Sequence, residues 1–422
     1  MLVARSNPKS HARYRDLALN ELSHIRFSLL AKAPDETARP ADLTRKALEP
    51  YLQALGITRV GDITGLDRIG VPVWFATRPA SRALSVSQGK GLDHDRAWIT
   101  AVMESAETAL AEQSQAMVTE IASIGEMARK GLTIVPLERQ SRCAAAYLDP
   151  NKRMAWVPGL SWLAGKEVYA PYELIGMDMT AASPWNHSCF QMSSLGLAAA
   201  GTLYDAMRHG LQELVEDDAF FSFRLGGWSD PHTLPLGLAA EASHPLSETI
   251  KQCEAVGYSV RLAKLRTDID LPTVLAGLDV QAGGQVRCYT GCATRNLIGD
   301  AALAALLEAI QSKLTFVSGS RDDLWPEDYR KATPPSKSDV AARRSVALSG
   351  ETNTSLRACL KHTLDEVVKA TGSDIYFFPI PTDCAGIRAV RVLADDLVSS
   401  ECPPLALPSP RAKAKLMGGS MP

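Results

Sequence analysis

The chain has 422 residues, 46% of them hydrophobic and 22% charged, which is enough for one large domain or two ordinary ones and excludes disorder as its main state. Its 45 Lys and Arg against 47 Asp and Glu give a formal charge of -2, without the positive excess of a general nucleic-acid binder. Apolar runs such as residues 303–310 break off well before the ~20 residues of a membrane span. The N-terminal MLVARSNPKSHARYRD has no apolar core behind its charges to form an export signal. A soluble cytoplasmic protein is expected, with no nucleic-acid or membrane partner and with its eight cysteines mostly reduced. Cys288 and Cys292 are four apart but lack a second ligand pair at zinc-finger spacing, so they are read as small buried side chains.

Along the chain, residues 17–60 predict two helices, LALNELSHIRFSLLAKA and DLTRKALEPYLQALGI, around a polar PDETARPA turn. RVGDITGL and VPVWFATRP follow as strands. The stretch SRALSVSQGKGLDHD predicts a polar, glycine-bearing loop that runs into a long Ala-rich helix, RAWITAVMESAETALAEQ, an arrangement that suits a phosphate. LTIVPL and RMAWVP predict strands, and GTLYDAMRHGLQELVEDDAFFSF predicts a helix on which His209 is read as structural. SVRLAKLRT and TVLAGLDV are strands, GQVRCYTGCATRN is strand and turn, and AALAALLEAIQSKLTFV is a third long helix. Residues 325–345, rich in Pro and charge, are read as a mobile loop before the helix LRACLKHTLDEVVKAT and the strand DIYFFPI. The mixture favours a single α/β (mixed α+β) domain over 61–398, with a small helical part at 1–60 and a flexible Pro-rich tail at 399–422.

Three helices carry oxygen ligands at i and i+3: Glu104 and Glu107, then Glu213 and Glu216 with Asp205 two turns upstream, then Glu308 and Gln311. Acids isolated on an apolar helix need a cation or hydrogen-bond partners once buried, and clustered Glu beside a phosphate-suited loop reads as a Mg-nucleotide site. The bland alternative is three helices facing different directions. Ser85, Ser87, Gly89, Lys90 and Gly91 offer hydroxyls, backbone amides and one cation without the order of a P-loop; a tight turn into a helix explains them equally. Arg321, Asp322 and Asp323 are a weaker signal, equally explained by a turn with a salt bridge.

In the stretches 56–79, 85–107, 196–219 and 301–323 the chain resembles the YcaO proteins, ATP-dependent enzymes that activate peptide backbone amides. GLAAAGTLYDAMRHGLQELVEDDA is similar to the family's NGLAAGN…ERDA stretch, and AALAALLEAIQSKLTFVSGSRDD to its QSR…SGxRDD stretch. The resemblance implies a mixed α/β fold with pseudo-symmetric halves and ATP and Mg2+ as cofactors. It assigns magnesium to Glu104, Glu107, Glu213 and Glu216, with Asp205 standing where the family usually has Glu. It assigns nucleotide contacts to Thr44 and to the glycine loop from Ser87 through Gly89 and Lys90 to Gly91, with Arg321 beside them. Four residues depart from the pattern: Leu195 and Gly201 replace Asn, Asp217 replaces the Arg of ERD, and Lys313 replaces the Arg of QSR. These changes remove an amide ligand and turn one phosphate-side cation into an anion.

The activity this implies is phosphorylation of an amide oxygen in a ribosomally made precursor peptide. Cyclodehydration of Cys, Ser or Thr to thiazoline or oxazoline is the leading expectation, and PPLALPSP resembles the Pro-rich end of azoline formers. TfuA-assisted thioamide formation is the alternative, since LDRIGVPV and SVSQGKGL also occur in that branch, and a non-catalytic accessory protein is a third reading. The short N-terminal part shows no leader-peptide-binding domain, so a separate leader-binding or TfuA-type partner is expected, and a homodimer is allowed.

Overall fold

A computed structural model of the protein describes residues 8–30, 40–140, 148–180, 190, 192–226, 234–282, 285–321, 323–325, 355–397 and 411. The expected loop at 325–345 beyond Trp325, the tail at 399–422 apart from Arg411, and Asp322 lie outside them. In chain order the elements begin α1 (Pro8–Leu30), α2 (Ala41–Leu48), β1 (Arg59–Asp62), β2 (Val73–Thr77), β3 (Val86–Lys90) and α3 (His94–Ala111). There follow α4 (Ser114–Met117), β4 (Glu120–Ala122), α5 (Ile124–Arg129), β5 (Met154–Ser161), β6 (Glu167–Pro171), α6 (Tyr172–Ile175) and β7 (Leu197–Ala200). Then come α7 (Leu203–Gly226), α8 (Leu236–Ala242), α9 (His244–Ala255), β8 (Ser259–Lys264), β9 (Thr273–Ala282), β10 (Gln285–Thr294) and α10 (Ile298–Ser318). A helix Leu356–Thr371 and strands β11 (Ile375–Ile380) and β12 (Arg388–Ala394) complete the described chain. Two compact units share it: the first is Met1–Ala38, Ala106–Leu214 and Ser355–Pro422, the second Arg39–Ser105 and Val215–Thr354.

The second unit holds two antiparallel sheets, ordered β1-β2-β3 and β10-β9-β8. Alternation places Val274, Ala276 and Leu278 of β9 on one face, where they pack with Ala301, Ala302, Ala305, Leu306, Ala309 and Ile310 of α10. Small residues let this helix come close: a Cβ on Gly291 would stand 2.3 Å from the Ala305 carbonyl. By length and composition α10 could cross a membrane, but half of its most apolar window is buried within the protein, as in a core helix. It ends at Gly319, whose left-handed φ of 57° is the usual helix stop.

The first unit is built on one sheet ordered β4-β5-β11-β12-β7, with β6 also paired to β5 and every strand pair antiparallel. α1 lies against β5 and β11. Arg26 fastens it there by donating to the Trp162 and Leu163 carbonyls at 2.6 and 3.0 Å. Trp156, Phe377 and Phe378 are fully buried in this unit, each worth about 1.5–3 kcal/mol of transfer free energy.

Several expectations are corrected. SVSQGK is a strand, not a loop: β3 pairs with β2 from Val86↔Thr77 to Val73↔Lys90, and most of it is buried. Its glycines serve packing, since a Cβ on Gly89 would meet the Ala101 nitrogen at 2.0 Å and one on Gly91 the Ala97 nitrogen at 2.6 Å. LTIVPL forms only an isolated bridge, Ile134 with Tyr169, followed by a 3-10 turn. The helix over DLTRKALEPYLQALGI stops at Leu48 and passes into a 3-10 turn at Glu49–Tyr51. Beyond DIYFFPI a further strand, β12, was not anticipated.

Candidate metal and nucleotide site

In the second unit Glu216 and Glu308 meet β10, an edge strand. Its outward backbone groups are satisfied by side chains: Glu308 accepts the Cys292 N–H at 3.4 Å, Glu216 accepts the Thr294 N–H at 3.2 Å, and the Ser312 hydroxyl donates to the Thr290 carbonyl at 2.9 Å. Each glutamate is thereby fixed through one oxygen. The second oxygen of Glu308 takes the Lys90 ammonium at 3.2 Å. Glu104 is accessible to solvent, yet the protein around it is dense enough that desolvation raises its carboxyl above the ordinary range. Lys90 and Arg321 oppose that rise and Glu308 adds to it. The buried Cys292 thiol is pushed well up by burial first, then by Glu216, Glu308 and Asp217. Carboxylates and cations of this unit thus act on one another over a small volume.

Beside them, β3 and α10 share a polar seam. Gln311 donates to the Gln88 carbonyl at 3.3 Å, and the Thr315 hydroxyl donates to the Gln88 side-chain oxygen. This leaves the Gln88 amide nitrogen and the Gln311 side-chain oxygen buried without a partner. An unmatched buried donor and acceptor each cost about 1–3 kcal/mol.

The first unit repeats the edge-strand device on β7. Glu107 accepts the Ala199 N–H at 2.8 Å, and Glu213 accepts the Gly196 N–H at 3.0 Å. Gly196 has a φ of 76°, and a Cβ there would strike the Val392 carbonyl at 2.6 Å, so only glycine serves. Asp205 is engaged within its own helix, 2.6 Å from Arg208 and 3.4 Å from His209.

The remaining predicted residues fall as follows. The Thr44 hydroxyl bonds back to the Pro40 carbonyl at 3.0 Å. Its neighbour Arg45 stacks on Trp74 and Trp98, at 5.6 and 5.0 Å from the ring centres, and pairs with Asp95 at 2.9 Å. Ser87 is buried on β3. Arg321 pairs with Asp323, as the turn reading allows. Lys313, in place of the family's Arg, is committed to Asp67 at 2.9 Å. Among the described residues no group of three or more His, Cys, Asp or Glu is arranged to hold a metal ion. The residue that sequence reasoning missed is Arg391, buried on β12 beside β7, whose guanidinium donates to three carbonyls.

The sequence model of the family described as YcaO cyclodehydratase, ATP- and Mg2+-binding, matches residues 88–398. A protein of Rhizobium leguminosarum bv. trifolii, described by its place in the tfuA 3' region, is 32% identical over 86% of this chain and 88% of its own. The chain belongs to the YcaO family. Among solved structures, YcaO from Methanopyrus kandleri bound with AMPPCP and Mg2+ superposes with a TM-score of 0.65 at 19% identity, over 89% of this chain and 96% of that one. A heterocyclase in complex with substrate and cofactor gives 0.68 at 16% identity, over 84% of this chain and 52% of that one. These establish the mixed α/β YcaO fold expected from the sequence. The family described by that model uses ATP and Mg2+, as the resemblance implied.

Proposed function

We propose that this YcaO protein uses ATP and Mg2+ to activate a backbone amide of a ribosomally made peptide and, with a TfuA-type partner, replaces the amide oxygen by sulfur. The observation that carries this reading is the 32% identical relative described by its place beside tfuA. The likeness to heterocyclases rests on 16% identity and bears on the fold alone. The description of the family model as a cyclodehydratase names the competing chemistry, so cyclodehydration of Cys, Ser or Thr is the other outcome of the test. The protein acts in the cytoplasm, where the precursor peptide is made.

The residues present fit the nucleotide and its metal. Mg2+ binds through one or two carboxylates, with phosphate oxygens and water completing its shell, so it needs no cage of protein ligands. Glu104, Glu216 and Glu308 in the second unit and Glu107 and Glu213 in the first offer hard oxygen donors. Four of them, all but Glu104, are already oriented by a backbone N–H. The unmatched Gln88 amide nitrogen and Gln311 oxygen add a donor and an acceptor that a ligand or its water would satisfy.

Bound ATP and Mg2+ would supply the phosphoryl group that turns the amide oxygen into a leaving group. Lys90 and Arg321, whose charges both act on Glu104, would neutralise charge on the phosphates. Hydrosulfide would add to the amide carbon, the resulting alkoxide would take the phosphoryl group with ADP leaving, the oxygen would depart as phosphate, and loss of a proton would leave C=S. Positioning and charge neutralisation carry the rate.

The test combines the protein with a TfuA-type partner, ATP, Mg2+, sulfide and a peptide encoded beside it. Sulfide-dependent exchange of one oxygen for sulfur, seen by mass spectrometry, is expected. Loss of one water without sulfide would overturn the thioamide reading in favour of azoline formation. ATP bound but no peptide changed under either condition would favour a non-catalytic accessory role.

A further inference from the structure

Arg391 lies in β12 within the apolar run AVRVLA and is 2% exposed. A cation so deeply buried needs dedicated acceptors. Its guanidinium donates to the Ile175 carbonyl at 3.2 Å, to the Leu195 carbonyl at 2.5 Å, and to the Ser193 carbonyl. The fork of a guanidinium can bind several carbonyls in fixed directions, which an ammonium cannot.

What those carbonyls belong to gives the bonds their meaning. Ser193 and Leu195 form the turn that enters β7; its end is closed by the Leu197 N–H on the Ser194 carbonyl at 2.8 Å. The residue after Arg391 holds the same turn, since the Val392 N–H donates to the Gly196 carbonyl at 2.8 Å. From this turn and strand come the two N–H groups that hold the glutamates of the unit: Gly196 to Glu213 and Ala199 to Glu107. Ile175, the third acceptor, leads through Gly176 to Met177, whose N–H bonds the Ala111 carbonyl at 3.0 Å. The Tyr172 hydroxyl bonds that same carbonyl at 3.2 Å. Ala111 closes α3, the helix that carries Glu107. One side chain therefore ties together both backbone donors and the end of the helix bearing one of the acids.

We infer that Arg391 is a positioning residue for the metal-binding carboxylates Glu107 and Glu213, acting through the 193–196 turn without touching metal or nucleotide. The inference rests on the ATP and Mg2+ reading given above. Loosening the turn frees Gly196 and Ala199 to move, and the carboxylates lose the fixed orientation that metal affinity depends on. Partners of this kind typically change metal affinity by about 10–100-fold.

The test is a calorimetric titration of Mg2+ at saturating AMPPCP for the wild type, R391M and R391K, with R26M as control. Arg26 likewise clamps two carbonyls in the same unit, both in the connection between β5 and β6 and neither in the turn or strand that holds the glutamates. The expected result is an Mg2+ midpoint raised about 10-fold or more in R391M, intermediate in R391K, and unchanged in R26M. Amide exchange followed by mass spectrometry should quicken over 196–199 in both Arg391 variants and not in R26M. An unchanged Mg2+ midpoint in a folded R391M, or in R391K where R391M does not fold, overturns the inference. So does an equal rise in R26M. A wild type that binds no Mg2+ and nucleotide refutes the proposed function instead, and unaltered exchange over 196–199 then refutes the positioning role by itself.

Discussion

Lys313 and Asp67 form a buried ion pair at 2.9 Å, with side chains 7% and 2% exposed. The ammonium also lies 4.8 Å from the Tyr258 ring centre, and Asp67 caps the Ile69 N–H at 2.8 Å. Replacing Lys313 by Met leaves Asp67 charged, buried and held by little more than that cap, which should cost about 3–5 kcal/mol. The double replacement K313M/D67L removes both charges and forfeits mainly the cap, about 1 kcal/mol. A double-mutant cycle from urea unfolding, followed by tryptophan fluorescence, should give a coupling of about 2–4 kcal/mol. Because Lys313 is committed to Asp67, K313M/D67L should still bind ATP and Mg2+ within about threefold of the wild type, under 1 kcal/mol. The reasoning fails if K313M is as stable as the wild type, or if the double variant costs the sum of the single ones. Loss of nucleotide binding in a well-folded double variant would show instead that Lys313 contributes to the nucleotide site.

The packing of β3 on α3 predicts that G89A, whose Cβ would stand 2.0 Å from the Ala101 nitrogen, forces backbone apart and costs about 3 kcal/mol or more, seen as a fall in the thermal midpoint. Glu173 is buried, and desolvation raises its carboxyl from 4.5 to about 7, with Lys152 opposing. Between those two values the native state keeps a proton that the unfolded chain releases, so stability falls as pH rises through this window. E173Q should remove that slope, gaining up to about 3 kcal/mol above pH 7 and nothing below about pH 4, as read by urea unfolding at several pH values. Cys253 and Cys288 have thiols pushed up to about 12, each by burial first and then by a neighbouring aspartate, Asp67 or Asp279. Both should resist iodoacetamide at pH 8 in the folded protein and react in urea, a difference that peptide mapping resolves.

The helices carrying Glu104 and Glu107, Glu213 and Glu216, and Glu308 and Gln311 were legible because apolar residues recur at helical spacing over several turns, a period that no strand shares. What could not be read was the use of the acids: binding edge-strand N–H groups is a long-range fact that spacing on a helix does not contain. SVSQGKG misled because Ser, Gln and Gly are weak strand formers, and tertiary packing overrode that preference. Its glycines are required by an approaching helix, the same residue type that a phosphate loop would need. β12 was passed over, although the arginine inside AVRVLA carried a signal. A charge in an otherwise apolar strand is either on an exposed face or held by built acceptors, and Arg391 is the second kind. The departures at Leu195 and Lys313 also read differently in place: Leu195 contributes its carbonyl to Arg391, and Lys313 its charge to Asp67.

The central claim is that the glutamates bind ATP through Mg2+. Calorimetric titration of ATP into the protein with Mg2+, repeated with EDTA and with the E104A/E216A double variant, tests it most directly. Saturable binding that disappears with EDTA and in the folded variant is the predicted result. Absence of binding by the wild type, or undiminished binding by E104A/E216A, would contradict it.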